Sequence, residues 1–430
     1  MTPLLFSVGI PTRLAIFWRK HLARTSRMLK TTGSPKSIIV FRLDQLGDLV
    51  LTTPLFRELR RNFPNARCTV VVRPSQQSIL TTNRNVDEIL PLHEVKARLL
   101  PARARWLVSA LWFYWTRIRD RQFDIAISPR WDVDESLATM LCVLSNADMR
   151  VGRSEHVSDA KRRINRGFDA AFDVSIPSGT RRHEVDRNLE VIAALGGRVE
   201  DRSLEICLAA NDRKFGAELL THHGRRRLLV AIGIGGRAAS RRWPLDQYAD
   251  VITRLNRNHA VQPAIACGRE EEADASELAG MLPVQPYILS GVPLRAVCAV
   301  LERCDLFVGN DSGTAHLAAA VDCPTIVVSK HPRGGDPDHA NSPVRFAPRG
   351  SRYRVVQPES GADGCRVACR ATEPHCIKLV TVEMVLAAVS ELSRSDCRGA
   401  IQHELPRDST AQAGLHLADD GNILEAASAL

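Results

Sequence analysis

At 430 residues, the chain is long enough to bury two full hydrophobic cores, and its 44% hydrophobic and 25% charged content is that of a soluble globular protein. No apolar run is long enough to cross a bilayer, and eleven cysteines spread through the chain, several in apolar segments, suit reduced thiols in a cytoplasm better than a disulfide framework. The net charge of +10 favours acidic partners: nucleotides, phosphorylated glycolipids, an anionic membrane surface or nucleic acid.

Residues 1–36 read as an appendage. Their charges (Arg13, Arg19, Lys20, Arg24, Arg27, Lys30) follow the apolar part, the reverse of a signal peptide. Residues 14–18, followed by Arg19 and Lys20, fit either an interfacial helix on anionic lipid or a disordered basic leader. The first domain opens at residues 37–41, an apolar run read as a buried strand. Gly47 then marks a tight turn, Asp48 sits near the start of a helix through Phe56 and Leu59, and residues 68–72 form the next strand. Strand, glycine turn, helix and strand make a βαβ unit and hence a parallel sheet, whose carboxyl edge is where ligands bind. Asp48 there can act as a general base, or simply complement a helix dipole.

A basic aromatic stretch follows, with Arg103, Arg105, Trp106, Trp112, Phe113, Tyr114, Trp115, Arg117, Arg119 and Arg121 at helical spacing. Core packing is the default reading, and a membrane-surface or acceptor-groove helix is its rival. No nucleic-acid module is recognisable, so nucleic acid is not expected as a partner. Residues 123–127 read as a strand, 150–166 as a polar, mobile loop, and His183 and Glu184 as the start of an amphipathic helix closing at Gly196 and Gly197.

The domain boundary is expected within 207–225, giving domains over 37–210 and 225–393. Strand 228–232 restarts the pattern and leads into Gly233, Gly235, Gly236, Arg237, Arg241, Arg242, Trp243 and Pro244. Gly233, Gly235 and Ala238 match a dinucleotide fingerprint formally, but no helix opens directly from the glycines. Arg241 and Arg242 read better as clamps on phosphate oxygens. Glu272 is a ribose-binding candidate, although a solvated acidic helix start explains it as well. Residues 305–308 form a strand, followed by Gly309, Asn310, Asp311, Ser312, Gly313, Thr314, Ala315 and His316, with helix from Thr314 to Val321. Free N–H groups at such a helix start favour an anion. Ser312 can donate a hydroxyl, Gly313 permits close backbone approach, and His316 lies one turn on, on the same face. An ordinary N-cap by Asp311 or Ser312 is the plainer alternative. Cys365, Cys369 and Cys376 with His375 have the look of a zinc site, but the spacing is not standard and adjacent His375 and Cys376 make an awkward ligand pair; structural or unligated cysteines, and no metal, are expected. Residues 394–430 read as a flexible tail.

Four segments in order then resemble one family. Residues 41–54, including Arg42, Gly47 and Asp48, are similar to the opening motif of glycosyltransferase family 9, the bacterial lipopolysaccharide heptosyltransferases. Residues 183–187 resemble its histidine motif, 241–244 its basic Trp-Pro segment, and 308–317 its Asp-Thr/Ser-Gly-x-x-His signature. The resemblance spans about 37–392. It implies an α/β GT-B fold, two Rossmann-like domains facing across a cleft, with an N-terminal acceptor domain and a C-terminal nucleotide-sugar domain. It implies inverting, metal-independent transfer of heptose from ADP-heptose to a lipid-linked saccharide, without a cofactor. The enzyme would be cytoplasmic, with peripheral contact at the cytoplasmic face of the inner membrane. By position, Asp48 would be the general base. Arg241, or else Arg242, would steady the leaving diphosphate, Ser312, Gly313 and His316 would bind it, Asp311 would bind the donor and Glu272 a ribose. Arg42, Gly47 and His183 would lie on the acceptor side.

The sequence departs from the family where Asp44 and Gln45 replace a Thr/Ser-Ser pair, and where residues 329–335 (Ser-Lys-His-Pro-Arg-Gly-Gly) replace a Gly-Pro-Thr type turn near the expected donor sugar. The rival readings are therefore the same fold with another nucleotide sugar or acceptor, and a non-catalytic sugar-nucleotide-binding protein. A nicotinamide oxidoreductase would rest on the Gly233 loop alone.

Overall fold

The computed structural model describes residues 9–22, 34–96, 100–177, 179, 183–220 and 228–399. The chain divides into two compact units, Met1–Ala209 and Ala210–Leu430. The first holds a six-stranded parallel sheet of β1 (Ser37–Arg42), β2 (Arg67–Val72), β3 (Glu88–Pro91), β4 (Ile125–Ser128), β5 (Met149–Arg153) and β6 (Val174–Ile176), in the order β3-β2-β1-β4-β5-β6. The second repeats that order with β7 (Leu228–Gly233), β8 (Val261–Ala266), β9 (Tyr287–Leu289), β10 (Leu306–Asn310), β11 (Thr325–Val328) and β12 (Tyr353–Val356), arranged β12-β11-β10-β7-β8-β9. Each is the doubly wound order in which direction reverses beside the first strand, at β1/β4 and at β7/β10. The connections diverge there and open a crevice at the carboxyl ends.

The central strands are apolar throughout because helices cover both sheet faces. Ile39, Phe41 and Val71 pack with Leu141 and Phe168 in the first core; Ile232, Val308 and Ile326 pack with Trp243, Tyr248 and Val385 in the second. Trp243 and Tyr248 meet edge to face, centroids 4.9 Å apart, and the Trp243 indole N–H donates to the Val380 carbonyl at 2.9 Å.

Several expectations change. Residues 9–22 are not a detached leader: they form the helix Gly9–Leu22, which buries Ala15 and Ile16 in the first core while Leu14 and Phe17 stay exposed. Residues 1–8 and 23–33, with Arg24, Arg27 and Lys30, lie outside the described residues. Residues 150–166 are not a loop. They contain β5, a short turn Glu155–Val157 and the helix Asp159–Ile164, because their charges find distant partners: Arg153 with Glu190, Arg150 with Asp173 at 3.2 Å. The helix expected from Asp48 onward breaks into Leu46–Val50 and Thr53–Asn62, with Pro54 in the first turn of the second. The helix Val382–Gly399 runs past residue 394, and residues 400–430 lie outside the described residues. No helix among the described residues is long and apolar enough to cross a membrane.

The basic aromatic stretch divides its faces. In the helix Ala102–Phe113 and the turn Tyr114–Ile118, Ala110, Phe113 and Ile118 are buried, whereas Trp112 and Trp115 are 63% and 58% exposed, and the Arg119 guanidinium lies 3.9 Å from the Trp115 ring centroid.

Gly233 and Gly309 are register partners on β7 and β10, and the Phe307 ring fills the space their side chains would occupy. A Cβ at Gly233 would lie 2.5 Å from the ring, and one at Gly309 2.6 Å. Gly233→Ala is therefore expected to lower the unfolding free energy by about 1–3 kcal/mol through overpacking. In urea titrations, the Gly233→Ala/Phe307→Leu double variant should be less destabilised than the sum of the singles, because the smaller side chain vacates the contested space.

Candidate functional site

In the first unit, the residues after β1 and β4 meet at the reversal point. Arg42 closes β1 and is buried, so its guanidinium needs anions. It takes two: Nη1 lies 3.3 Å from Asp44 Oδ2 and Nη2 lies 3.5 Å from Asp48 Oδ1. Arg130, after β4, pairs with the other oxygen of Asp44. The backbone around Asp44 is fastened as well: Arg73 Nε donates to the Leu43 carbonyl at 2.7 Å and Gln76 Nε2 to the Asp44 carbonyl at 2.8 Å. Lys161 donates to the carbonyls of Arg130 and Trp131 at 3.0 and 3.1 Å, and burial pulls its ammonium down to about 7.

Asp48 sits in the first turn of Leu46–Val50, where Oδ2 accepts the Gln45 N–H at 3.1 Å, and its side chain keeps 16% exposure. Burial pushes its pKa above the usual carboxylate range, helped by the negative charges of Asp44 and Glu184 and opposed by Arg42 and Arg130. Asp44 goes the other way: it too is buried, but Arg130 and Arg42 outweigh the desolvation and hold it below that range. Two neighbouring carboxylates are thus driven apart, one firmly ionised and the other able to take a proton.

The acceptor-side candidates are placed differently from one another. Gly47 lies within the first turn of Leu46–Val50 and is outside the left-handed region, so it is a helix residue rather than the tight turn expected. His183 caps the helix Glu184–Ala194, its Nδ1 accepting the Val185 N–H at 3.2 Å. Glu184 is buried and paired with Arg187 at 3.0 Å, and Arg187 lies over the Trp131 ring at 3.6 Å.

In the second unit, the loops after β7 and β10 meet at the equivalent point, fastened by Asn310. This fully buried side chain accepts the Trp243 N–H and the Tyr248 hydroxyl, each at 2.9 Å, and donates to the Ile234 carbonyl at 2.8 Å. The loop so held presents Arg241, 23% exposed, in an ion pair with Asp311. Arg242 turns elsewhere, to Asp274 at 3.1 Å, Glu271 at 3.4 Å and the Gly236 carbonyl at 3.1 Å. Of the two arginines expected as clamps, only Arg241 stands beside Asp311. The helix after the turn is Gly313–Ala320, starting at Gly313, with Ser312 at its N-cap position in extended conformation. Ser312 makes no side-chain cap, so the plain capping role does not describe it; among the described residues its hydroxyl has no hydrogen-bond partner. His316 is buried one turn on. A guanidinium beside an open helix N-terminus suits an anion. Glu272 opens the helix Glu272–Met281 and accepts from Ser290 at 2.6 Å, while its neighbours Glu271 and Asp274 are the acids that reach Arg242.

Asp44, Arg130, Asn310 and Lys330 belong to these clusters without having been candidates. Lys330 is buried, donates to Ser240 at 2.8 Å next to Arg241, and burial lowers its ammonium. Asp44 and Lys330 had a signal, since both stand where the sequence departs from the pattern it resembles.

Residues 112–332 match the family model described as glycosyltransferase family 9 (heptosyltransferase), more than half of the 430 residues. The chain belongs to glycosyltransferase family 9. It is 25% identical over 285 residues to lipopolysaccharide heptosyltransferase 3 of Escherichia coli, covering 65% of this chain and 79% of that one. It is 20% identical over 329 residues to the lipopolysaccharide core heptosyltransferase OpsX of Haemophilus influenzae, covering 76% and 85%. Among solved structures, a family 9 glycosyl transferase from Veillonella parvula superposes with a TM-score of 0.63 at 20% identity, over 83% of this chain and 97% of that one. The E. coli heptosyltransferase WaaC with ADP gives 0.60 at 17% identity, over 83% and 99%. The fold of this glycosyltransferase is accordingly α/β of the GT-B class, with two Rossmann-like units.

Asn310→Ala would leave the Trp243 N–H and the Ile234 carbonyl without their partner. It is expected to cost about 1–3 kcal/mol for the buried groups left unsatisfied, read as a lowered urea midpoint.

Proposed function

We propose that this enzyme transfers a heptosyl group from ADP-heptose to a lipid-linked saccharide of the lipopolysaccharide core, by a single inverting displacement that uses no metal at the reacting centre and no cofactor. The observation that carries this reading is Asp48: a partly exposed carboxylate at a strand-order reversal, raised above the ordinary range beside a second carboxylate that is held ionised. The donor and acceptor follow the printed names of the relatives, lipopolysaccharide heptosyltransferases, and the ADP of the WaaC complex.

In this reading the first unit is the acceptor unit and the second binds the nucleotide sugar. Asp48 accepts the proton of the acceptor hydroxyl as its oxygen attacks the anomeric carbon. The bond from that carbon to the phosphate oxygen breaks, and ADP leaves. One carboxylate suffices when attack comes from the face opposite the leaving group. Arg42 orients Asp48 and, with Gly47 and His183, borders the acceptor. Charge growing on the diphosphate is met by Arg241, the Ser312 hydroxyl, the N–H groups from Gly313 onward and His316, all in place before the reaction. Asp311 holds Arg241 and contacts the donor, Glu272 takes a ribose hydroxyl, and Arg242, occupied by Glu271 and Asp274, braces the loop more than it binds phosphate. Trp112 and Trp115 with Arg119 form an outward face of the kind that rests on an anionic membrane surface, which suits a lipid-linked acceptor at the cytoplasmic face of the inner membrane. The buried Lys330 beside Ser240 favours a second reading, the same chemistry on another nucleotide sugar, because this residue departs from the family near the expected sugar position.

Asp48→Asn should lower transfer by about 10²–10⁴-fold while calorimetric ADP affinity stays within about twofold; undiminished transfer would remove Asp48 from this role. Arg241→Ala should weaken ADP binding by about 10–100-fold, the worth of a hydrogen bond to a charged group, and Arg242→Ala by less. Transfer should persist in EDTA, and ADP-heptose should outcompete UDP- and GDP-sugars as donor.

The pH dependence has a definite sign. Activity requires ionised Asp48, so kcat/KM should fall on the acid side through a midpoint above the usual carboxylate value. Asp44→Asn removes a negative charge that raises Asp48 and releases Arg42 and Arg130 to act on it, so the acid limb should move to lower pH. A shift to higher pH would contradict the assigned electrostatics.

A further inference from the structure

Residues 357–375 run without helix or strand between β12 and the short turn Cys376–Leu379. Three buried cysteines in and after this segment, Cys365, Cys369 and Cys376, form a cluster of their own, separate from the main core; among the described residues the partly buried apolar side chains packed against it are Ala362 and Ala371. Two alanines are too little apolar surface to order such a loop by burial alone. His375 joins them. The three sulfurs and a ring nitrogen of His375 all lie within 4.8 Å of one another. His375 Nδ1 stands 3.7 Å from Cys365 Sγ and 3.5 Å from Cys376 Sγ. A tetrahedral zinc ion, with Zn–S of about 2.3 Å and Zn–N of about 2.0–2.1 Å, sets sulfur and nitrogen ligands about 3.5 Å apart. The adjacency of His375 and Cys376, an objection at the level of sequence, is met by the backbone: His375 has φ −133° and ψ −90°, outside helix and strand, and both side chains turn to the same point.

We propose that Cys365, Cys369, His375 and Cys376 hold one zinc ion as a closed, four-coordinate structural centre. Three thiolates and an imidazole fill a tetrahedral shell and leave no position open for substrate, which separates this centre from the transfer chemistry. All three sulfurs are free thiols rather than disulfide partners, as a metal-binding set requires. Its place in the fold gives it a task. The Ser240 N–H donates to the Thr372 carbonyl at 3.0 Å, and the Asp336 N–H to the Val367 carbonyl at 2.8 Å. Tying residues 365–376 together therefore braces the turn that carries Arg241 and the loop that follows Lys330.

The decisive measurement is elemental analysis of the full-length protein purified without added metal, or reloaded with zinc and desalted. One equivalent of zinc per chain is expected, lost in Cys369→Ser and Cys376→Ser and kept in Cys298→Ser, which removes a buried thiol outside the cluster. Cobalt substituted into the wild type should show the intense thiolate-to-cobalt and tetrahedral ligand-field absorption of a sulfur-rich site. Should the cysteine variants fail to fold, the wild type decides: titration with an organomercurial should release zinc as the clustered thiols react. Zinc absent after reloading, zinc retained in both variants, or an octahedral cobalt spectrum would overturn the site. One equivalent of iron in its place would overturn the choice of ion. None of these readouts depends on transfer activity, so the centre and the proposed reaction stand or fall separately.

Discussion

A parallel sheet whose strand order reverses beside its first strand leaves a crevice that no crossover covers, and this enzyme has one in each unit. The chemistry-bearing residues collect there because strands end there. Arg42 is the last residue of β1 and Arg130 follows β4; Asn310 is the last residue of β10, and Arg241 lies in the loop after β7. Backbone groups at these ends have lost their sheet partners, so side chains and ligands must supply them. The same constraint explains the glycines at the β7/β10 pair. Phe307 fills the space beside the reversal point, and the neighbouring strand positions can carry no side chain of their own.

The two crevices solve the problem of buried charge in opposite ways. In the first, two guanidinium groups and two carboxylates share a small volume, and the asymmetry of their pairing sets their protonation. Asp44 pairs with both Arg42 and Arg130, whereas among the described residues Asp48 pairs with Arg42 and feels Asp44 as a repelling neighbour. A carboxylate with one shared cation and one adjacent anion is poised to gain a proton. In the second crevice, a neutral amide does the organising. Asn310 can both donate and accept, so one side chain closes the loop without adding charge beside the proposed anion site.

Much of this was legible in the sequence. β1, β2, β7, β10 and β11 are apolar runs because both faces of the sheet are covered, and the turns after β1 and β10 stood out through their polar residues. The edge strands β3, β6, β9 and β12 were not legible, being three or four residues long and only partly buried. Residues 150–166 look like a loop because charge normally marks solvent. Arg153 is buried because Glu190 and the Arg187 carbonyl, 37 and 34 positions away, receive its guanidinium, and no local pattern reveals either partner. The same limit hid which of Arg241 and Arg242 faces Asp311: consecutive residues point apart, and the acids that claim Arg242 lie 29 and 32 positions on. Asn310 was visible in its motif, but nothing in the motif shows that its amide reaches back to a loop some 75 residues earlier.

Arg241 is paired with Asp311, and this bears on how the second unit would work. Asp311 holds the guanidinium in position, so an incoming diphosphate would find it placed rather than having to order it. The conformational entropy of a long side chain is then lost on folding, not on binding. The anion must still compete with Asp311, which sets a threshold: two phosphates together with helix N–H groups can exceed one carboxylate, whereas a weakly charged ligand cannot. Such a threshold only works if the loop cannot drift toward the anion. The Asn310 amide fixes the loop on its sheet side, and the bond from Ser240 to Thr372 fixes it toward the cysteine cluster. Rigidity at both ends of a nine-residue turn, rather than any single contact with the ligand, is what would make the proposed phosphate site preorganised in a sequence as loosely patterned as residues 234–242.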